Sequence, residues 1–115
     1  MKKIFRRIAG YFVTIYANKL YKKAVQEADL AHVEKGERIY VVSSRQDVSK
    51  LVVLDIDGFR RMKKALKIKD SLHDLKQGSW YYTADNAEKN PLPEADREAR
   101  RLAFVRHLLD RAGLI

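Results

Sequence analysis

Two aspartates separated by one residue have the spacing that could most readily support chemistry in this sequence. Asp55 and Asp57 come after the apolar run 51–54, and Gly58 and Phe59 follow Asp57 directly. A carboxylate pair after a buried strand can provide a nucleophile and an acid–base group, or can bind a divalent cation. The pair has no third acid close in sequence and lacks the ligand spacing of an EF-hand loop, so the sequence argues against a metal site.

Residues 51–58 resemble the first motif of haloacid-dehalogenase-type phosphatases, which would imply metal-dependent phosphate chemistry. That fold needs several more parallel strands, a downstream lysine and a second acidic pair, but the chain ends 58 residues after Asp57. Phe59 also stands where a threonine usually follows the glycine. The sequence therefore favours a structural role, in which Asp55 ends a strand and Asp57 caps a helix that begins at Gly58.

The other residue types that commonly perform catalysis are scattered. His32, His73 and His107 lie far apart, and no two of them have metal-ligand spacing. The chain has no cysteine, which excludes disulfides and thiolate chemistry, and it lacks the GxSxG and phosphate-loop patterns. We therefore predict that the protein is not an enzyme and has no catalytic residue, metal, cofactor or small-molecule substrate.

Residues 1–26 combine concentrated positive charge with a helical hydrophobic pattern. The 115-residue chain has 24 Lys and Arg against 15 Asp and Glu, and seven of the cations but none of the acids fall in this segment. Apolar residues recur every three or four positions, at Phe5, Ile8, Phe12, Tyr16, Leu20, Ala24, Ala28 and Ala31. This stripe predicts a long helix over residues 2–35 that stops at Lys35-Gly36, and Gly10 is a point where the helix could bend or divide into two pieces. The residues predicted to bind a partner on this helix are Phe5, Ile8, Phe12, Tyr16 and Leu20.

The same segment permits other interpretations. Its aromatics alternate with Lys and Arg, as in a helix that lies on an anionic membrane surface. Its basic start and the apolar run 8–17 resemble a signal peptide, but Thr14 interrupts the run and no small-residue cleavage site follows, so secretion by a signal peptide is not predicted. No segment reaches the roughly 18 apolar residues of a membrane span.

A second basic cluster falls on a short helix predicted from Gly58 to about Lys67. Six Lys and Arg residues within 60–69 could bind phosphate groups, opposite an apolar face of Phe59, Met62 and Leu66. A solvated face whose aliphatic stems cover the edge of the core explains the same pattern equally well. The predicted anion-binding residues of both basic segments are Arg60, Arg61, Lys63, Lys64, Lys67, Lys2, Lys3, Arg6 and Arg7.

Three apolar segments predict the strands of a small sheet. They are Glu37–Ser44, Leu51–Ile56 and the aromatic run Ser79–Thr83, whose side chains are expected in the core instead of on a base-stacking platform. A capping box at 71–74 predicts a short helix to Gly78. A last helix is predicted from near Pro91 or Pro93 to Gly113, with a buried stripe of Leu102, Val105, Leu109 and Ala112.

This order of elements predicts an α+β fold. The sheet is three-stranded and mostly antiparallel, and it is accompanied by a long N-terminal helix, a short basic middle helix and a C-terminal helix. We divide the chain into the basic amphipathic helix, residues 1–35, as an assembly arm, and a compact α+β domain, residues 36–115.

Residues 35–64, together with 79–83, resemble small proteins of crAss-like tailed phages and mobile elements of gut bacteria. The shared features are a Gly-basic-Tyr-Val strand, a second apolar strand ending in Asp, a Phe-Arg-basic helix and an aromatic strand. The matching positions are Gly36, Arg38, Tyr40, Val41, Asp55, Phe59, Arg60, Tyr81 and Tyr82. The resemblance implies a virion component or a host-takeover accessory protein, located in the virion or the host cytoplasm.

The sequence as a whole predicts a non-enzymatic structural or interaction protein. It would associate through its N-terminal helix with other protein subunits, in a homo- or hetero-oligomer. A sequence-nonspecific nucleic-acid-binding accessory protein is the alternative, and a peripheral membrane-surface protein is the further alternative.

Overall fold

A computed structural model describes residues 2–115, except for the side chain of Lys2. This part of the chain forms the predicted α+β fold, with four helices and a three-stranded antiparallel sheet. The elements in chain order are α1 (Lys2–Lys35), β1 (Tyr40–Ser43), β2 (Leu51–Leu54), α2 (Ile56–Leu66), α3 (Leu72–Gly78), β3 (Tyr81–Tyr82) and α4 (Glu94–Arg111).

The sheet has β1 at its centre, between β2 and β3. Val41 of β1 is fully buried and stands opposite Val53 on one side and Tyr81 on the other. The Tyr81 hydroxyl donates to Asp29 Oδ1 of α1 at 2.7 Å, so this face of the sheet packs against α1. Since side chains alternate along a strand, the opposite face carries Tyr82, whose ring lies 5.3 Å from the Lys76 ammonium of α3.

Helix α1 supplies a large part of the core through its C-terminal two-thirds. Its buried residues Ala17, Tyr21, Ala24, Val25 and Ala28 form one cluster with the sheet and α4. The boundary drawn at residue 35 therefore separates two segments that share a single core.

Helix α4 runs back along α1 toward its N-terminal end. The rings of Tyr21 and Phe104 lie 6.1 Å apart near the middle of the contact. Closer to the start of α1, a Cβ at Gly10 would lie 4.0 Å from Leu109 Cδ2, and Arg6 donates to the carbonyl of Gly113 at 3.1 Å. The helix is continuous through Gly10, because the glycine faces α4 instead of breaking the chain.

The strands lie within the predicted segments but are shorter. Pairing continues irregularly beyond β1, where the backbone N–H of Thr83 donates to the Ile39 carbonyl at 3.0 Å and the N–H of Ile39 donates to Thr83 Oγ1 at 2.9 Å. The second strand ends where Asp55 turns the chain into α2.

The predicted N-cap of α2 was wrong by two residues. Gly58 N–H donates to Asp55 Oδ1 at 2.6 Å, so Asp55 is the N-cap and the helix begins at Ile56. An N-cap side chain accepts from the N–H two or three positions later, which Asp55 does and Asp57 does not. The capping box before α3 is confirmed, with Ser71 and Asp74 bonded reciprocally.

The buried stripe of α4 also differs from the prediction. Val105 is buried and Leu109 packs against the core as predicted, but Leu102 is 50% exposed and Ala112 is exposed. Phe104 and Leu108 are buried instead. The Phe104 ring contacts Trp80 at a centroid distance of 5.4 Å, and this aromatic contact sets which side of the helix faces inward.

Candidate interaction surface

The N-terminal four turns of α1 present a continuous apolar face to solvent. We define the outward face by the residues Ile4, Phe5, Ile8, Tyr11, Phe12, Ile15 and Tyr16. At about 100° per residue, these side chains lie on the side of the helix opposite Ala17, Tyr21 and Ala28. Six of the seven are 49–67% exposed, and Ile15 is half-buried. A contiguous apolar surface of this kind is typical of a protein or membrane interaction site, unlike single exposed apolar residues.

Four of the five sequence-predicted partner-binding residues, Phe5, Ile8, Phe12 and Tyr16, lie on the outward face. The fifth, Leu20, is half-buried and packs against the core. The sequence pattern missed Ile4, Tyr11 and Ile15, which complete the outward face. A helical projection of residues 3–16 alone would have found them, because their angles directly adjoin those of Ile8, Phe12, Phe5 and Tyr16 on one side of the helix.

Basic side chains border the outward face at both ends. Arg7 is exposed near its start, and Lys19, Lys22 and Lys23 are exposed on the two turns that continue it. Among the ion pairs closer than 4.0 Å within residues 2–115, none involves a residue of this basic segment. The outward face is therefore an apolar strip that has one exposed arginine beside its first turns and is followed by a cluster of three lysines.

The remaining predicted anion-binding residues of this segment are placed differently. Lys3 is exposed, and Arg6 donates to the Gly113 carbonyl at the end of α4. The side chain of Lys2 lies outside the described part of the chain.

The basic residues of α2 form a separate surface. Arg60, Arg61 and Lys64 are exposed, while Lys63 is half-buried with its ammonium 5.5 Å from the centre of the Phe59 ring. Lys67 is the C-cap in a left-handed conformation, with φ of 54°. Cations in the last turn of a helix also stabilise its dipole, which gives part of this cluster a structural role.

The two basic surfaces are not brought together. Helix α2 starts beside the C-terminal end of α1, where Lys35 Nζ lies 2.5 Å from Asp55 Oδ2. The hydrogen bond from Lys35 and that from the Gly58 N–H lower the pKa of Asp55. Asp55 is thus held by a lysine and a backbone donor, while Asp57 is exposed at the start of the helix.

Except for His73, which is exposed, the aromatic and histidine side chains singled out in the sequence take up packing positions. Trp80 donates its ring N–H to Ser43 Oγ at 2.9 Å, and Tyr81 and Tyr82 are buried, as expected for core residues. His107 Nε2 lies 2.8 Å from the Val48 carbonyl. Across residues 2–115 no group of three His, Cys, Asp or Glu side chains is arranged to hold a metal ion.

Comparisons with protein-family models, curated proteins and solved structures gave no match to this chain. None of the helices in residues 2–115 combines the length and the apolar character needed to cross a bilayer. The outward face of α1 and the basic residues beside it form the candidate surface for binding a partner.

Proposed function

We propose that the protein is a non-enzymatic interaction protein that associates with a partner through the outward face of α1. The single observation that supports this proposal is the run of exposed isoleucine and aromatic side chains on the first four turns. Exposing such side chains to water is unfavourable by about 1.5–3 kcal/mol each relative to full burial. A partner that covers the outward face would recover part of that free energy.

The packing of the chain supplies no internal reason for this exposed face. The sheet and α4 contact α1 on the side of Ala17, Tyr21 and Ala28, and the outward face points away from them. Replacing outward-face residues should therefore leave the core intact. A function in binding explains the exposed apolar side chains of the outward face, which the stability of the fold does not require.

A phage origin, as the sequence resemblance implies, would restrict the class of partner. The resemblance to small proteins of crAss-like phages supports a virion component or an accessory protein that acts in the host. The partner would then belong to the virion or to the host cell, and this remains a prediction.

A pair of matched double variants tests the proposal. Ile8→Glu with Phe12→Glu places two charges at the centre of the outward face. Leu30→Gln with Val33→Gln is the control, because these residues are 65% and 80% exposed on the same side of α1 but lie beyond the lysines. Circular dichroism and thermal unfolding should show both variants folded like the wild type.

Association is measured by the molar mass from size-exclusion chromatography with light scattering and by the fraction that pellets from a cell extract at high speed. We expect the wild type and L30Q/V33Q to form a heavier species or to pellet, and I8E/F12E to do neither. A wild type that is monomeric and stays in the supernatant, or an I8E/F12E variant that behaves like wild type, would overturn the proposal.

Nucleic-acid binding by α2 is a second candidate, favoured by the exposed cluster of Arg60, Arg61 and Lys64. Binding would weaken steeply with salt, since each phosphate contact releases counterions. Fluorescence anisotropy with a single- or double-stranded oligonucleotide measures it, and Arg61→Glu with Lys64→Glu should abolish it. Equal anisotropy for this variant and the wild type would reject the candidate.

A further inference from the structure

The geometry of α1 also points to the chemistry of the partner, and this inference rests on the proposed function. We infer that the outward face binds the surface of an anionic phospholipid membrane. Helix α1 would lie along the lipid interface, with its first four turns in contact with the acyl chains. Three observations support this choice: the position of the outward face on the molecule, its charge, and the arrangement of its residue types.

The outward face is accessible to a flat surface along its whole length. The molecule measures 53 × 31 × 20 Å, and α1, with 34 residues, extends along its longest dimension. The outward face lies opposite the core side of α1, so α4 and the sheet stand behind the helix. A membrane can therefore meet all four turns at once, with the β1–β2 loop at Asp47 and Ser49 beside Tyr16 at one edge of the face.

The charge around the outward face disfavours a second copy of the chain and favours an anionic partner. Residues 1–26 contain seven cations and no acid. In a parallel pair of α1 helices, identical basic ends would meet. In an antiparallel pair that superposes the two outward faces, the turn with Lys3 of one copy would lie beside the turn with Lys19 of the other. Both arrangements bring like charges together, whereas lipid phosphates and carboxylates neutralise them.

The order of residue types across the outward face matches a lipid interface. In helical projection, Ile8, Ile15 and Phe12 lie near the centre of the face, while Tyr11 and Tyr16 lie at its two edges. Tyrosine has an apolar ring and a polar hydroxyl, so it is suited to the boundary between acyl chains and headgroups. The lysines on the following turns are long enough to reach headgroup phosphates while their stems contact the apolar layer.

This chemistry describes a helix that lies on a membrane instead of crossing it, in keeping with the lack of a spanning helix in residues 2–115. The charge changes sign farther along α1, where Glu27, Asp29 and Glu34 are exposed. Anionic lipid would repel that part of the helix. The contact should therefore be confined to the segment from Lys3 to Lys23.

Vesicle flotation tests the inference. The full chain is mixed with vesicles of phosphatidylcholine alone, or with about one-third phosphatidylserine, at about 0.05 M and 0.5 M salt. We expect the wild type to float with the phosphatidylserine vesicles at low salt, and floating to decrease with high salt or with phosphatidylcholine alone. The membrane affinity of I8E/F12E should be about tenfold lower or weaker still, because two apolar side chains that would contact the acyl chains are replaced by anions.

Two further variants separate charge from hydrophobicity. Lys22→Glu with Lys23→Glu should weaken flotation, whereas Arg60→Glu with Arg61→Glu makes the same change in charge on α2 and should leave it unchanged. L30Q/V33Q should float like the wild type. Equal weakening by both charge variants would mean that only the net charge matters, and it would overturn the assignment of the contact to α1.

The outcomes also separate this inference from the proposed function. If the wild type fails to float with phosphatidylserine vesicles but still shows association that I8E/F12E abolishes, the partner is a protein and the lipid inference is overturned while the proposed function survives. If neither flotation nor association is seen, both are overturned. Flotation with an unchanged I8E/F12E variant would likewise reject the outward face as the lipid contact.

Discussion

At the scale of single residues, the hydrogen bonds of His32 depend on whether its imidazole ring is protonated. Its Nδ1 lies 2.7 Å from the Glu37 carbonyl and its Nε2 lies 3.0 Å from a Glu88 carboxylate oxygen. Both neighbours are acceptors, and only the imidazolium can donate to both. The hydrogen bond to Glu88, followed by that to Glu37, raises the pKa of His32 above its usual 6.5.

The raised pKa of His32 predicts the direction of a pH effect on stability. A group with a higher pKa in the folded state adds stability that is fully present below its unfolded pKa and is lost as the pH rises through its folded pKa. We expect the midpoint of thermal unfolding to fall as the pH is raised from about 6 to about 8.5.

His32→Leu should remove this dependence, and His73→Gln, which alters an exposed histidine, should keep it. Thermal unfolding of the three proteins across the same buffers measures the effect. An H32L variant with the slope of the wild type would contradict the assignment to His32.

The two aspartates before α2 differ in a way that a stability measurement can detect. Asp55 caps the helix and contacts Lys35, while Asp57 is exposed. Asp55→Ala should lower the free energy of unfolding by about 0.5–2 kcal/mol, the usual cost of losing an N-cap. Asp57→Ala should cost less than about 0.5 kcal/mol. Urea unfolding at neutral pH compares the two, and equal losses would mean that Asp55 is not the dominant cap.

At the scale of elements, sequence patterns predicted which segments fold, and they predicted the buried side of α2 at Phe59 and Met62 but not the buried sides of α1 and α4. The helices and strands were predictable because caps and hydrophobic periodicity are local signals. The side that is buried depends on partners distant in sequence. In α4, the side of the helix that carries Phe104 contacts Trp80 and faces the core. Leu102, which was predicted to be buried, is therefore half exposed.

The candidate site shows the same limit in α1. The predicted stripe proceeds mostly by steps of four residues, from Phe12 through Tyr16, Leu20 and Ala24 to Ala28. Each such step turns the helix by about 40° beyond a full turn, so the stripe winds from the outward face to the core. One periodic pattern in the sequence therefore joined two surfaces with different roles. The packing of Ala24 and Ala28 against the sheet and α4 is what separates them.

The phase of α4 leads to a paired prediction. Phe104 is fully buried against Trp80 and Tyr21. Phe104→Ala should lower the free energy of unfolding by about 3–5 kcal/mol, because it removes a large ring and leaves a cavity. Leu102→Ala should cost less than about 1 kcal/mol, since that side chain is already half in water. Chemical denaturation measures both, and a larger loss for L102A than for F104A would show that the helix has the opposite phase.

At the scale of the whole molecule, α1 carries the proposed binding surface on its first turns and core residues on its later turns. With 34 residues at about 1.5 Å each, it is about 51 Å long and accounts for the 53 Å extent of the molecule. Its first turns carry the outward face, and its later turns complete the core. The proposed binding surface and the core residues thus lie on one continuous helix, with the transition between the two near Ala17.

This division predicts opposite results for two truncations. Removal of residues 1–8 takes away three of the seven outward-face residues but no residue of the buried core, so the shortened chain should unfold cooperatively and lose association. Removal of residues 1–26 also deletes Ala17, Tyr21, Ala24 and Val25, which are buried against the sheet and α4. The free energy lost through cavities of that size exceeds the few kcal/mol by which small domains are stable. The longer truncation should therefore be unfolded. Near-ultraviolet circular dichroism and thermal melts distinguish the two states. A cooperative transition in the longer truncation would show that α1 is dispensable for the core, and the segment from Ala17 onward would then be free for binding as well.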